Sequence, residues 1–124
     1  PYTTLFRSKE KTELGVIFDQ IGTPTYARDL AVAIMTAVEK GIIPGIYHFS
    51  NEGVTSWYDF TKAIHRIAGI SGCHVRPIHT EEYPTPARRP HYSVLDKTKI
   101  KATYNIEVPY WEESLAECIS KLDK

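Results

Sequence analysis

Between Leu14 and Ser50 the chain passes from a short apolar run, through a glycine- and proline-containing turn and an amphipathic stretch, into a second short apolar run. That alternation leaves few folds open. Leu14-Gly15-Val16-Ile17-Phe18-Asp19 is brief and rich in strand formers, which predicts a buried strand. Gly22-Thr23-Pro24-Thr25 is loop chemistry, because glycine permits unusual dihedrals and proline fixes one. Leu30, Ala31, Ile34, Met35 and Val38 recur at helical spacing, and Gly41 suits a left-handed cap after the last turn. Gly45-Ile46-Tyr47-His48-Phe49-Ser50 predicts a second strand. Two strands joined by one helix have the pattern of a crossover in a parallel sheet, and the expected class is α/β.

The remainder adds helices. Thr55 or Ser56 can cap a helix that carries Trp57, Phe60, Ile64, Ile67 and Ala68 and stops at Gly69. His74 to His79 predicts a short strand. Glu81 to Pro90 holds three prolines and two arginines and cannot be regular helix, since each proline removes a donor and restricts its predecessor. Asp96 can cap a short helix through about Thr103, and Trp111, Leu115, Cys118, Ile119 and Leu122 form the stripe of a last one. These pieces could pack as a small lobe beside the sheet.

With 42% apolar and 24% charged residues among 124, a packed core is expected rather than disorder. Fifteen basic residues balance fifteen acidic ones, so neither nucleic acid nor an anionic membrane surface is an expected partner. No apolar run approaches the ~20 residues that span a bilayer, and with no basic stretch followed by an apolar core at the start no signal peptide is expected. Cys73 and Cys118 lack metal spacing and are expected as reduced thiols in a cytoplasmic protein. Residues 1–8, Pro-Tyr-Thr-Thr-Leu-Phe-Arg-Ser, match the translation of a common DNA-sequencing adapter. They are expected to be foreign, to hang off the fold with few contacts, and to leave residues 9–124 as the native part.

Tyr58 and Lys62 fit Tyr-x-x-x-Lys, a pair that protonates carbonyls in short-chain dehydrogenases. A helical wheel, however, puts Tyr58, Lys62 and His65 on the face opposite Phe60, Ile64 and Ile67, the ordinary solvent face of such a helix. No glycine-rich dinucleotide loop accompanies the pair, so it is set aside as a chance match. The prolines around Arg88 and Arg89 stiffen a loop that could present a guanidinium to a phosphate, which Arg binds through two parallel hydrogen bonds. Histidines 48, 65, 74, 79 and 91 form no metal pair on a helix face, and His48 is expected to be structural. Trp57 and Trp111 lie on helical stripes and are expected in the core.

Three strings in order resemble dTDP-4-dehydrorhamnose reductases: Asp19-Gln20-Ile21-Gly22-Thr23-Pro24-Thr25; Gly45 to Phe49 with Thr55-Ser56-Trp57-Tyr58-Asp59-Phe60; and Tyr83-Pro84-Thr85-Pro86-Ala87-Arg88-Arg89-Pro90 with Ser93, Leu95 and Lys99. The resemblance runs from about Glu13 to Leu122. It implies the C-terminal part of an extended short-chain dehydrogenase: the last part of a Rossmann-type parallel sheet plus a small substrate-binding lobe, with Gly45–Ser50 at the sheet edge. It further implies NADPH- or NADH-dependent reduction of a dTDP-sugar, for dTDP-rhamnose and cell-surface polysaccharide synthesis. Arg89, Arg88, Gln20 and Thr25 are the implied substrate-binding residues. The catalytic Thr/Ser, Tyr and Lys and the cofactor site would lie upstream, so none maps here. A homodimer is possible at full length. Some members use an acidic residue near the position of Arg28 in metal-dependent dimer contacts; an arginine cannot ligate a cation, so no metal is carried over. The alternatives are another sugar-nucleotide reductase or epimerase, or a non-catalytic binding subunit of the same fold.

Overall fold

The computed structural model describes residues 2–122. Helix α1 (Tyr2–Glu10) leads into strand β1 (Glu13–Ile17), a two-residue strand β2 (Ile21–Gly22) and helix α2 (Ala27–Lys40). After an irregular stretch come β3 (Thr55–Ser56), α3 (Trp57–Ala68), β4 (His74–Ile78), a single 3₁₀ turn (Thr80–Glu82), α4 (Thr98–Tyr104) and α5 (Trp111–Leu122). β1 and β4 are parallel, with Leu14 opposite Val75 and Ile17 opposite Ile78, while β2 and β3 are antiparallel.

α3 is the hub. Ser56 caps it: its hydroxyl accepts from the Asp59 amide at 2.9 Å and donates to the Asp59 carboxylate at 2.7 Å. Gly69 ends it in the left-handed conformation at φ 69°, where glycine has no Cβ penalty. Its apolar face packs with α1 and α5 into a core of Leu5, Phe60, Ala63, Ile64, Trp111, Leu115 and Ile119, in which Ile64 is wholly buried. α3 also lies against β1 and β4. α2 is tied to α5 through polar contacts. Asn51 Nδ2 donates to the Asp29 carboxylate (2.7 Å) and Ser114 Oγ (3.0 Å), Ser114 Oγ donates to Asp29, and Asn51 Oδ1 accepts from the Tyr26 amide (2.7 Å). Buried polar groups of this kind must be mutually satisfied, and these are.

Four expectations need correction. Gly45–Ser50 is not a strand: a strand exists only where a neighbour supplies its ladder, and among the described residues none lies beside it; Ile46 is 80% exposed. The parallel partner of β1 is therefore β4, reached through both α2 and α3 rather than a single helix. His65 is not on a solvent face, because α1 covers it and Ser8 Oγ lies 2.7 Å from its Nε2. The segment 1–8 does not hang loose: residues 2–8 lie in α1, with Leu5 in the core and Ser8 buried. Leu5 and Ser8, one turn apart, present an apolar and a small side chain to α3.

Candidate functional site

Two distant motifs are strapped together. The Ile21 amide donates to the His91 carbonyl and the Ser93 amide donates to the Ile21 carbonyl, both at 2.8 Å. His91 Nδ1 stands 2.7 Å from the Asp19 carbonyl; a carbonyl only accepts, so this nitrogen carries the proton. On its other side Ile21–Gly22 pairs with Thr55–Ser56. Residues 20–24, the start of α3 and residues 89–93 thus meet at one place.

The floor is anchored to the turn after β4. The Asp19 carboxylate accepts from the Thr80 amide (3.0 Å) and hydroxyl (2.7 Å). Chiefly through that hydroxyl bond, opposed by partial burial, its pKa is held below the ordinary carboxylate value. Buried Gln20 donates to the same Thr80 hydroxyl at 3.4 Å. Thr23 Oγ1 donates to the Gly53 carbonyl at 2.6 Å.

Two cavities share this place. The smaller, about 320 Å³, runs from Gln20 to Pro24 and across Thr55, Ser56, Trp57, Phe60, Arg89, Pro90 and Ser93. The larger, about 500 Å³, lies over β1 between Trp57, Thr61, Tyr83, Thr85 and Arg89, and α1 closes it with Thr4 and Arg7. Gln20, Trp57 and Arg89 line both. Among the described residues, Arg89 is the only charged one lining the smaller cavity, and in the larger only Arg7 joins it. Among the described residues Arg89 has no acidic partner. A cleft with positive charge and no carboxylate in its walls favours an anionic ligand.

The residues match a family model described as RmlD substrate binding domain over residues 2–124. The chain belongs to that family. The spore coat polysaccharide biosynthesis protein SpsK of Bacillus subtilis is 40% identical over 119 residues, 96% of this chain and 41% of that protein. A dTDP-4-dehydrorhamnose reductase from Clostridium acetobutylicum superposes with TM-score 0.91 at 38% identity, covering 99% of this chain and 43% of its own. The same enzyme from Bacillus anthracis, solved in complex with NADP, gives 0.88 at 36%, covering 97% and 41%. The chain therefore spans about two fifths of the relatives it matches.

Within this RmlD-type domain the four expected binding residues separate. Gln20 and Arg89 converge on both cavities. Arg88 is exposed on the same loop but is not among the residues lining either. Thr25 faces a different hollow, with Tyr26, Phe60 and Cys118, and Thr23 lines the cleft instead. Tyr58 and Lys62 line neither cavity. Trp57 was expected in the core but is half exposed and lines both cavities. It is the first residue of α3, so the apolar stripe outruns the elements that cover it. Tyr83 and Ser93 were hidden in loops, where no periodicity marks a facing side chain.

Proposed function

We propose that this chain is the substrate-binding part of an NAD(P)H-dependent reductase that converts dTDP-4-dehydro-L-rhamnose to dTDP-L-rhamnose, acting in the cytoplasm. The observation that carries the reading is the cleft shared by Gln20 and Arg89, with unpaired arginine charge and no acid in its walls. The substrate's diphosphate is the group such a cleft suits, and Arg89 on its proline-stiffened loop is the residue to hold it, with Arg88 bracing the loop. Gln20, fixed by Thr80, would hydrogen-bond the sugar nucleotide; Thr25 would act through the loop it occupies. Family membership and the reductases matched at 36–38% identity support the same substrate class.

The chain's own residues do not fit a dinucleotide. β1 is followed by Phe18, Asp19 and Gln20, not by a glycine-rich turn into a helix, and the first amide approaching α2, that of Tyr26, is taken by Asn51. NADPH or NADH would be held by an upstream part, which would also bring the catalytic hydroxyl, tyrosine and lysine. That part would cover the apolar side chains left bare on α2 and beyond it: Val32, Ile34, Met35, Val38, Ile42, Ile43 and Ile46. A homodimer of the complete protein belongs to the same proposal. So does a foreign origin for residues 1–8, despite their packing; the octapeptide encoded in intact genomic DNA would refute it. The test of function is NAD(P)H oxidation by the complete protein. Turnover that depends on dTDP-4-dehydro-L-rhamnose supports the reading, and its absence in a folded, cofactor-binding protein contradicts it.

A further inference from the structure

We propose that Thr80 is a positioning residue of the cleft: it fixes the Gln20 amide so that the carbonyl end, Oε1, meets the bound sugar nucleotide and accepts from one of its hydrogen-bond donors. The inference deepens the reading of the cleft as a sugar-nucleotide site and rests on it.

Strand register brings the residues together. β1 and β4 run in parallel with Ile17 opposite Ile78, and the Phe18 amide donates to the Ile78 carbonyl at 3.0 Å. Asp19 and Thr80 therefore leave the ladder side by side, Thr80 at the start of the 3₁₀ turn. The Thr80 hydroxyl donates to Asp19 Oδ1 at 2.7 Å, and the Thr80 amide donates to both carboxylate oxygens, at 3.0 and 3.3 Å. An ionised carboxylate only accepts, so the single proton of the hydroxyl is directed at Asp19. His91 does not compete for it: its Nδ1 lies 2.7 Å from the Asp19 carbonyl and 3.9 Å from the carboxylate.

With that proton spent, Thr80 Oγ1 offers lone pairs only. Gln20 Nε2 stands 3.4 Å from it. Only the NH₂ end of an amide can face an oxygen with nothing left to donate; the reverse orientation would set two acceptors against each other. Gln20 is buried, so its amide is confined to this arrangement. Among the described residues nothing donates to Oε1, and Gln20 lines both cavities. An ionised diphosphate also carries acceptors only, which suit Arg89 and not this oxygen. Gln20 therefore selects for a hydroxyl or a ring N–H elsewhere on the ligand, and a ligand lacking that donor would leave a buried carbonyl oxygen unpaired. Serine could replace threonine at position 80 in this relay; valine, of nearly the same shape, could not.

The test is calorimetric titration of the complete protein with dTDP-L-rhamnose and with NADPH, for wild type, Thr80→Ser, Thr80→Val, Gln20→Ala and the double variant Thr80→Val with Gln20→Ala. Positioning predicts that Thr80→Val weakens dTDP-L-rhamnose roughly twofold to tenfold, that Thr80→Ser restores it, and that NADPH affinity does not move. It also predicts that Thr80→Val has no further effect once Gln20 is alanine, because two changes acting through one contact do not add. Wild-type affinity in Thr80→Val or in Gln20→Ala, or an equal loss from Thr80→Val in both backgrounds, overturns the positioning role and leaves the site. Should Thr80→Val fail to fold, a crystal structure of the wild-type complex decides. A ligand hydroxyl or ring N–H within hydrogen-bond distance of the cleft-facing atom of Gln20 supports the proposal; a phosphate or carbonyl oxygen there, or no ligand atom at all, overturns it. Wild-type protein that binds no dTDP-L-rhamnose overturns both the role and the site.

Discussion

Gly53 is where a single residue bears most directly on the cleft. Its φ of 88° is in the region that penalises a side chain, and an added Cβ would run into the Tyr110 ring and press on Trp111. Its carbonyl also holds Thr23. Gly53→Ala should therefore cost on the order of 1–3 kcal/mol in denaturant unfolding; wild-type stability would show that the loop relaxes freely. At this scale Gln20 and Arg89 were legible, because Asp-Gln and Ala-Arg-Arg-Pro are distinctive strings with an obvious chemistry. Their meeting was not, since it depends on backbone hydrogen bonds from Ile21 to residues 91 and 93. Trp57 was misread because a helical wheel carries no information on where the covering elements stop.

Helices with complete amphipathic stripes were predictable as elements: α2, α3 and α5 lie where their periodicity puts them, and Ser56 and Gly69 bound α3 as expected, whereas Gly41 after α2, at φ 92° and ψ 117°, is not the left-handed cap expected of it. Gly45–Ser50 failed because strand formation belongs to a pair, and among the described residues no partner lies beside it. His65 shows what a covering element does. Burial, with Lys62 adding repulsion, lowers its pKa below the ordinary 6.5. The folded state thus prefers neutral His65 while the unfolded chain takes up a proton below about pH 6.5. Stability should fall as pH drops below that value, levelling once folded His65 is protonated as well. Hydrogen exchange in α1, corrected for intrinsic rate, should accelerate between pH 7.5 and 5.5, and His65→Gln should flatten the difference. Equal protection at both pH values would mean that α1 does not depend on this contact. Ile64, wholly buried in the same helix, should cost about 2–5 kcal/mol when truncated to alanine, measured by denaturant unfolding; a loss under 1 kcal/mol would deny α3 its central place.

The molecule as a whole has a well-packed side around α3 and a bare one along α2 and residues 42–46. Exposed apolar side chains in such number favour association unless covered. The 124-residue chain purified alone should self-associate in sedimentation and oxidise no NAD(P)H with dTDP-4-dehydro-L-rhamnose; measurable oxidation would place catalytic groups in this chain after all. No helix among the described residues is long and apolar enough to cross a membrane.

The central claim is that the cleft joining Gln20, Trp57 and Arg89 receives a nucleoside diphosphate through Arg89. Calorimetric titration of the complete protein with dTDP-L-rhamnose, and separately with NADPH, tests it most directly. Loss of one charge-assisted contact is worth on the order of 1.5–3 kcal/mol, so Arg89→Ala should weaken the sugar nucleotide roughly tenfold to a hundredfold and leave NADPH affinity nearly unchanged. Unaltered dTDP-L-rhamnose affinity, with only a lower melting temperature, would make Arg89 a brace of its loop and contradict the account.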